Sequence, residues 1–582
     1  MTQGARAPTT RKATGKRIDD TALRHTLRDV FGIRRLRPGQ EEVIRAVIAG
    51  RDALAIMPTG AGKSLCYQLP ALHLAGVTLV VSPLIALMKD QADTLAESGI
   101  PVAQINSAYS DAACREALAD IVAGKVRIAF LTPERLTDAE TLRALSRATI
   151  ARVVVDEAHC ICQWGHDFRP AFLDIPNALA ALCNPPVLAL TATATEAMAD
   201  DIRASLARPS MTVIQTAMYR ANLHYRVDHI SSEDQRVAKV LELVQSLPGA
   251  GIVYVATLRC LEALHEALAA ADVPVLRYHG KLGTRERNEN QDAFMRGDAR
   301  VMVATNAFGL GVDKPDIRFV IHAQMPGNLE AYYQESGRAG RDSEAAQCIL
   351  LYDLRDRRTQ QFFLVRRYPD ADQVAAVQDA IAKHEGAPVP LEALRAALPR
   401  IAASKVRVAA RLLAVQGIVS RARNGKLRLA RPAIDAEQVG KLASVYSERE
   451  EDDREKLERM VFYAQTGHCR WRVLLDYFGE ALGRDRCDTC DNCRRARERA
   501  VDDAVSRIVS PMRARKEYAN GDRVRIPRVG EGIVRGLIGN EVTVELADGT
   551  TRTFLRSYVR RMATAAKPPQ QGAATASLAQ AA

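Results

Sequence analysis

The chain reads as an α/β protein: two tandem parallel-sheet units, then helical and small β modules. Three observations predict this. The apolar, β-branched runs DALAIM, VTLVVSP, VRIAFLTP, ARVVVDEAH and PVLALTATAT alternate with helical stretches, the pattern of buried parallel strands with helices on both faces. A second series of the same kind starts near Gly251 with GIVYVAT, VLRYHG, RVMVATN, FVIHAQ and QCILLYD. After Tyr368 the pattern turns helical and basic, and from Gly521 it becomes short strands broken by glycines. Two α/β units in tandem imply a cleft between them.

Composition bounds what such a chain can be. At 582 residues it is too long for one core. A content of 47% hydrophobic and 26% charged residues is that of soluble globular domains. The net charge of +12 favours a polyanionic partner. The basic start MTQGARAPTTRKATGKR has no apolar core of signal-peptide length, and VTLVVSPLIALM is too short to span a bilayer. No membrane partner is expected. Eleven cysteines, an odd count without a secretion signal, point to a reducing cytoplasm and a metal site. The expected divisions are a disordered basic tail (1–17), a nucleotide-binding unit (18–210), a second unit (211–368), a winged-helix-like basic segment (369–440), a metal-binding subdomain (441–500), a barrel (515–563) and a disordered tail (564–582).

The first unit carries a phosphate site. Met57-Pro58-Thr59-Gly60-Ala61-Gly62-Lys63-Ser64 follows a strand and opens a helix. The glycines let backbone N–H groups turn toward phosphate. Lys63 supplies a point charge for the terminal phosphates, and Ser64 a hydroxyl for Mg²⁺. The strict pattern asks for glycine where Met57 stands, outside the Gly60-to-Ser64 cradle. Asp156 and Glu157 end the strand ARVVV, where open α/β sheets bind ligands. Asp156 can hold Mg²⁺ while Glu157 orients the attacking water, so the pair reads as a nucleotide hydrolase. In the second unit Arg338 and Arg341 are three apart and expected on one side of a helix. From across the cleft they are candidate arginine fingers, Arg341 the stronger.

FGIRRLRPGQ, MPTGAGKS, VSPLIALMKDQ, DEAHC, QWGHDFRP, LTATAT, VATNAFGLGVDKPDIRFVIH and QESGRAGRD stand in the order of the helicase motifs of the RecQ family, which residues 25–365 resemble. The resemblance implies two RecA-like, doubly wound domains that bind ATP and Mg²⁺ between them and move 3′ to 5′ along single-stranded DNA. It implies that Arg37 and Gln40 recognise adenine. It also implies that QWGHDFRP couples DNA occupancy to hydrolysis, with His159 in that linkage. Trp164 and Phe168 offer faces for base stacking, and Arg169 can meet a phosphate or stack as a cation. Single-stranded and branched DNA are the implied partners, recombination and repair the process, and a nucleoid-associated cytoplasmic protein the setting.

Cys469, Cys487, Cys490 and Cys493 form C-x₁₇-C-x₂-C-x₂-C, a spacing suited to four thiolates on a structural, tetrahedral Zn²⁺. The surrounding HCRWRVLLDYFGE and CDTCDNC resemble the RecQ zinc-binding subdomain. Upstream, helices and the hairpin IVSRARNGKLRLA suggest a winged helix on DNA phosphates through Lys405, Arg407, Arg411, Arg421, Arg423, Lys426 and Arg428, with no acidic residue from Ile401 to Ala430. A solvated face packed on the motor is the other reading. Typical RecQ proteins place a winged helix after the zinc site, so the family's strand-separating hairpin is not carried over.

Residues 521–562 suggest about four strands with turns at ADG and GN. They resemble the SH3-like or Tudor-like barrels at the C-termini of some UvrD-type helicases. Docking of a protein (RNA polymerase or a repair factor), nucleic-acid binding and simple packing all stay open. The functional expectation is an ATP-dependent DNA helicase. The alternatives are a DNA-stimulated translocase with weak unwinding, and a DNA-bound adaptor with a vestigial ATPase.

Overall fold

The computed structural model describes residues 20–161, 170–309, 314–365, 368–384, 386–421, 426–509, 518–527, 529–538 and 541–562. The expected tails, 1–17 and 564–582, lie outside them. Among the described residues no helix is long and apolar enough to cross a membrane.

The first apolar series forms a seven-stranded sheet: β1 (Ala53–Ile56), β2 (Val77–Val81), β3 (Val102–Ile105), β4 (Ile128–Leu131), β5 (Ile150–Val155), β6 (Val187–Thr191) and β7 (Thr212–Gln215). Their order is β3-β4-β2-β5-β6-β1-β7, every pair parallel. Alternate residues feed two cores. Ala53 and Ala55 join Val80, Val154 and Leu188 on one face, while Leu54 and Ile56 join Leu79, Val153 and Ala189 on the other. Burial on both faces explains why these strands are almost wholly apolar. The edge strands β3 and β7 carry VAQI and TVIQ and are only partly covered, so they lack the apolar run that marks the others. The order makes β5, β6 and β1 neighbours, and the three loops leaving their C-terminal ends therefore meet.

The second series gives a six-stranded parallel sheet: β8 (Leu223–His229), β9 (Ala250–Tyr254), β10 (Val275–Tyr278), β11 (Val301–Ala304), β12 (Ile317–His322) and β13 (Ala346–Tyr352), ordered β10-β11-β9-β12-β13-β8. One face packs on its own helices; the other shares a core with the cysteine-bearing subdomain.

Residues 368–435 form a separate small core. Helices Ala371–Ala382, Leu391–Ala397 and Ala403–Val415 precede the antiparallel pair β14 (Val419–Arg421) and β15 (Leu427–Leu429). Val389 and Leu427 exchange backbone bonds of 2.7 and 2.8 Å, adding a third strand position. Val374, Val377, Leu394, Val406, Leu413 and Val419 fill the interior. Helix, strand, two helices and a two-stranded wing is the chain order of a winged helix. The helices flanking this segment, Leu354–Val365 and Ala436–Gln465, are joined by Arg357 Nε donating to Glu458 Oε1 at 3.0 Å. Just past the first of them, Tyr368 OH donates to Asp453 Oδ2 at 2.7 Å.

The four cysteine sulfurs lie within 4.8 Å of one another, with Cys487 and Cys493 Sγ at 3.9 Å. A tetrahedron with Zn–S bonds of about 2.3 Å requires sulfurs about 3.8 Å apart, so the set fits a closed zinc site. Residues beside the ligands grip the second sheet. Arg470 pairs with Asp491 (3.0 Å), and Asp491 accepts from Val227 N (3.2 Å). Trp471, fully buried, sits edge-on to Tyr219 and Tyr225 (4.9 and 5.0 Å) and donates from Nε1 to Leu223 O (3.1 Å).

A second compact unit, 498–582, contains an antiparallel sheet of five strands rather than four: β16 (Arg523–Ile526), β17 (Gly530–Ile538), β18 (Glu541–Leu546), β19 (Thr551–Leu555) and β20 (Arg560–Arg561). The added strand is two arginines long and has no apolar alternation to announce it. Val524, Ile526, Val534, Val542, Val544 and Val559 form the core, consistent with a small barrel.

Cys490→Ser is expected to lower bound zinc from one ion per chain and to reduce the melting temperature. Structural zinc contributes on the order of 10 kcal/mol to such a module, and the readouts are metal analysis and thermal unfolding of the same preparation.

Candidate functional site

The phosphate loop leaves β1 with Met57 N donating to Thr191 O (3.0 Å). Met57 is fully buried and its sulfur lies 3.8 Å from Cys66 Sγ, so the residue replacing glycine serves the core and leaves the cradle clear. Gly60 (φ 84°) and Gly62 (φ 76°) take left-handed backbone that a side chain would strain. Lys63 Nζ donates to Met57 O (3.2 Å). Burial pulls its pKa down, opposed by Glu157 and Asp156.

Asp156 follows β5 directly. Burial, then the neighbouring Glu157, push its pKa up against the pull of Lys63. A buried carboxylate in that setting suits a cation. Glu157 has a positive φ of 49°, uncommon for a non-glycine residue and frequent at functional turns. His159 Nδ1 lies 3.4 Å from Glu157 Oε2 and 3.1 Å from Thr191 Oγ1, and that hydroxyl donates to Thr193 O (3.0 Å). One imidazole thus joins the loop after β5 to the last residue of β6.

Gln40 is engaged on both sides of its amide. Its Oε1 accepts from Arg37 N (2.7 Å) and its Nε2 donates to Ala61 O and Gly62 O (3.0 and 2.9 Å). Arg37 Nη1 donates to Gly60 O. The two expected adenine contacts therefore hold the phosphate loop in this structure. Ser64 Oγ accepts from Gln91 Nε2 (3.0 Å), and Tyr67 OH donates to Gln91 Oε1. Gln91 ends VSPLIALMKDQ, so its motif was visible although its contact was not.

The opposite wall comes from the second unit. The helix expected to carry both arginines stops earlier, at Leu329–Ser336, and Gly337–Arg341 is a turn. Gly340 has φ 54°, and a Cβ there would lie 2.5 Å from Asn222 Nδ2, so the helix cannot continue through it. A residue absent from the sequence reading, Arg220, gathers this turn. Nη1 donates to Gly337 O (2.7 Å), and Nη2 to Ala339 O and Gly340 O (2.8 and 2.6 Å). Nη1 also reaches Thr59 O at 3.4 Å, on the first unit. A charged residue between the two strand series was the only available signal. Arg341 packs on Gly60, where a Cβ would meet its Cγ at 3.2 Å, and the buried Nε of Arg338 has no hydrogen-bond partner among the described residues.

Thr59, Gly60, Gly62, Lys63, Ser64, Asp156 and Glu157 face Gln334, Arg338 and Arg341 across a cleft of ≈ 580 Å³, with Arg37, Gln40 and Gln91 at its side. Converging cations, a glycine cradle and a buried carboxylate beside a hydroxyl fit a nucleoside triphosphate with a divalent cation. Ser64 and Asp156 are the residues that could hold the metal. Outside the cleft lining, Arg407 and Arg411 are exposed and Lys405 half-buried on helix Ala403–Val415, with Lys426 and Arg428 exposed on β15 and just before it. Arg421 contributes backbone to β14. Its side chain, Arg423, Trp164, Phe168 and Arg169 lie outside the described residues. Phe172 is fully buried in the first core.

Residues 37–202 match the DEAD/DEAH box helicase family, 235–343 the helicase conserved C-terminal domain, and 433–494 the RecQ zinc-binding family. The chain is 37% identical over 465 residues to the ATP-dependent DNA helicase RecQ of Bacillus subtilis, covering 80% of this chain and 65% of that one. Its counterpart from Pasteurella multocida is 39% identical over 340 residues, covering 58% and 53%. This chain thus spans less than two thirds of either. The probable ATP-dependent DNA helicase RecS of Bacillus subtilis is 34% identical over 478 residues, covering 81% of this chain and 92% of that protein. With three family matches in chain order and a relative covered almost end to end, the chain belongs to the RecQ family of ATP-dependent DNA helicases.

Proposed function

We propose that this protein is an ATP-dependent DNA helicase that moves 3′ to 5′ along single-stranded DNA and serves recombination and repair at the nucleoid. The observation that carries the reading is the cleft, in which one sheet supplies the lysine and carboxylates and the other the arginines.

Lys63 and the loop amides hold the terminal phosphates, and Ser64 and Asp156 would hold Mg²⁺, which neutralises phosphate charge when bound. Glu157 accepts a proton from the attacking water. Arg341, with Arg338 beside it, meets charge developing on the γ-phosphate, a contribution typically of about 10³–10⁵ in rate. Because these groups sit on two bodies, hydrolysis requires a closed cleft, and loss of the γ-phosphate removes what holds it closed. Arg37 and Gln40 recognise the base, and Gln40 then exchanges part of its grip on the phosphate loop for the adenine edge. His159, between Glu157 and Thr191, receives the signal of a bound strand. Trp164, Phe168 and Arg169 deliver it by stacking on bases and meeting phosphate.

The winged segment holds duplex phosphates through Lys405, Arg407, Arg411, Arg421 and Arg423. Its place before the zinc module favours a second reading, a DNA-stimulated translocase with weak strand separation. The barrel docks a protein partner over the exposed Ile538, Leu555 and Tyr558.

Lys63→Ala is expected to abolish ATP turnover and unwinding together, and the parent protein to open a 3′-tailed duplex in preference to a 5′-tailed one. DNA-stimulated turnover without opening of either duplex favours the translocase. Trp164→Ala is expected to keep basal ATP turnover and lose its stimulation by single-stranded DNA, read in a coupled ATPase assay. Arg407→Glu with Arg411→Glu is expected to weaken binding to a forked duplex and to flatten its salt dependence, by about one unit of slope for each phosphate no longer neutralised. ATPase on oligo-dT stays at the parent level in that variant.

A further inference from the structure

The segment joining the two sheets, Thr216–Asn222, is held from three sides. At its start Thr216 N donates to Ile56 O (2.9 Å), at the end of β1. The zinc subdomain takes its middle. Glu480 Oε2 accepts from Met218 N (2.8 Å), Arg484 Nη2 donates to Tyr219 OH (2.6 Å), and Trp471 packs on the Tyr219 ring and donates to Leu223 O. The turn bearing the arginines takes its end. Arg220 holds the carbonyls of Gly337, Ala339 and Gly340, and Asn222 Nδ2 donates to Gly340 O and Glu344 O (both 2.8 Å). Tyr333, on the helix leading into that turn, donates to Met218 O (2.7 Å).

These bonds form a path from the zinc ligands to the cleft. Trp471 lies two residues after Cys469, and Asp491 directly after Cys490. The linker they clamp presents one guanidinium to three backbone carbonyls of Gly337–Arg341. Gly340 O also accepts from Asn222 Nδ2 (2.8 Å) and Ser343 N (3.0 Å), whereas Gly337 O and Ala339 O take their side-chain bonds from Arg220, so its loss strips the donor from those two and the turn would relax. Arg338 and Arg341 project from this turn, so its shape sets where they arrive. The longer bond to Thr59 O links the same guanidinium to the phosphate loop and is the weakest of the four.

We propose that Thr216–Asn222 is a strap through which the zinc subdomain sets the arginine turn, with Arg220 the positioning residue for hydrolysis. The proposal rests on ATP being hydrolysed across this cleft. Arg220 touches backbone rather than phosphate, so its loss misplaces the arginines while the phosphate loop, base contacts and nucleotide affinity persist. Glu480 acts one step further back, through Met218.

The test uses the full zinc-loaded chain with saturating oligo-dT, reading kcat, KM for ATP, binding of a fluorescent ATP analogue, zinc content and melting temperature. Arg220→Ala is expected to lower kcat by about 10²-fold, the scale of a misplaced catalytic group, with analogue binding unchanged. Arg220→Lys, which offers fewer fixed donors, is expected to recover part of the loss. Glu480→Ala is expected to lower kcat by about 2–10-fold, the span of one net hydrogen bond, with zinc still at one ion per chain. If Arg220→Ala does not fold, the lysine and Glu480 variants decide. A parent protein that turns over no ATP sinks the underlying reading and the strap with it. Parent turnover with undiminished kcat in the variants, or an equal loss of nucleotide binding, sinks the strap alone.

Discussion

Three carbonyl oxygens, of Gly337, Ala339 and Gly340, converge on the guanidinium of Arg220, and that convergence ties the turn bearing Arg338 and Arg341 to the linker between the two sheets. The turn's own backbone bonds, from Gly337 N to Tyr333 O (2.8 Å), Ala339 N to Ser336 O (3.1 Å) and Gly340 N to Ile317 O (2.9 Å), are joined by side-chain bonds to its carbonyls. Here the donors come from the linker between the two sheets. The turn that carries the cationic wall is therefore bonded to the connection between the two sheets.

The same economy recurs on the anionic wall. His159 stands between Glu157 and Thr191, so the loop after β5 and the end of β6 are not independent. Sheet order makes this possible, since β5, β6 and β1 are neighbours. Gln40 and Gln91 then hold the phosphate loop and Ser64 from two different helices. Much of the polar hydrogen bonding is spent on backbone and side-chain posture around the nucleotide site. Such sites gain rate from groups already in place when the substrate arrives.

Much of this was legible in the sequence, for physical reasons that can be named. Buried parallel strands must be apolar on both faces, so β1, β2, β4, β5 and β6 announced themselves, while of the four edge strands only β10 did, and β3, β7 and β8 did not. Four cysteines at close spacing stated the metal site outright. The three helices and the strand pair between Ala371 and Leu429 were readable because helices and strands have distinct periodicities. What stayed hidden was any bond made by a side chain to distant backbone. The two glycines of GRAGR allow the helix to end at Ser336, but the letters do not show the bonds from Arg220 and Asn222, more than a hundred residues away, that hold the turn after it. Gln40 likewise looked like a base-recognition residue, and its bonds to the phosphate loop belong to tertiary structure alone.

The ion pair between Arg357 and Glu458, with the bond from Tyr368 to Asp453, fastens together the chain on either side of the winged segment. The polypeptide departs and re-enters at one doorway. Closing such a loop costs only slightly more as it lengthens, so the segment is a cassette. A different or longer wing could occupy that doorway while the two parallel sheets kept their own cores. The segment can thus vary in length and surface charge independently of the sheets that build the cleft.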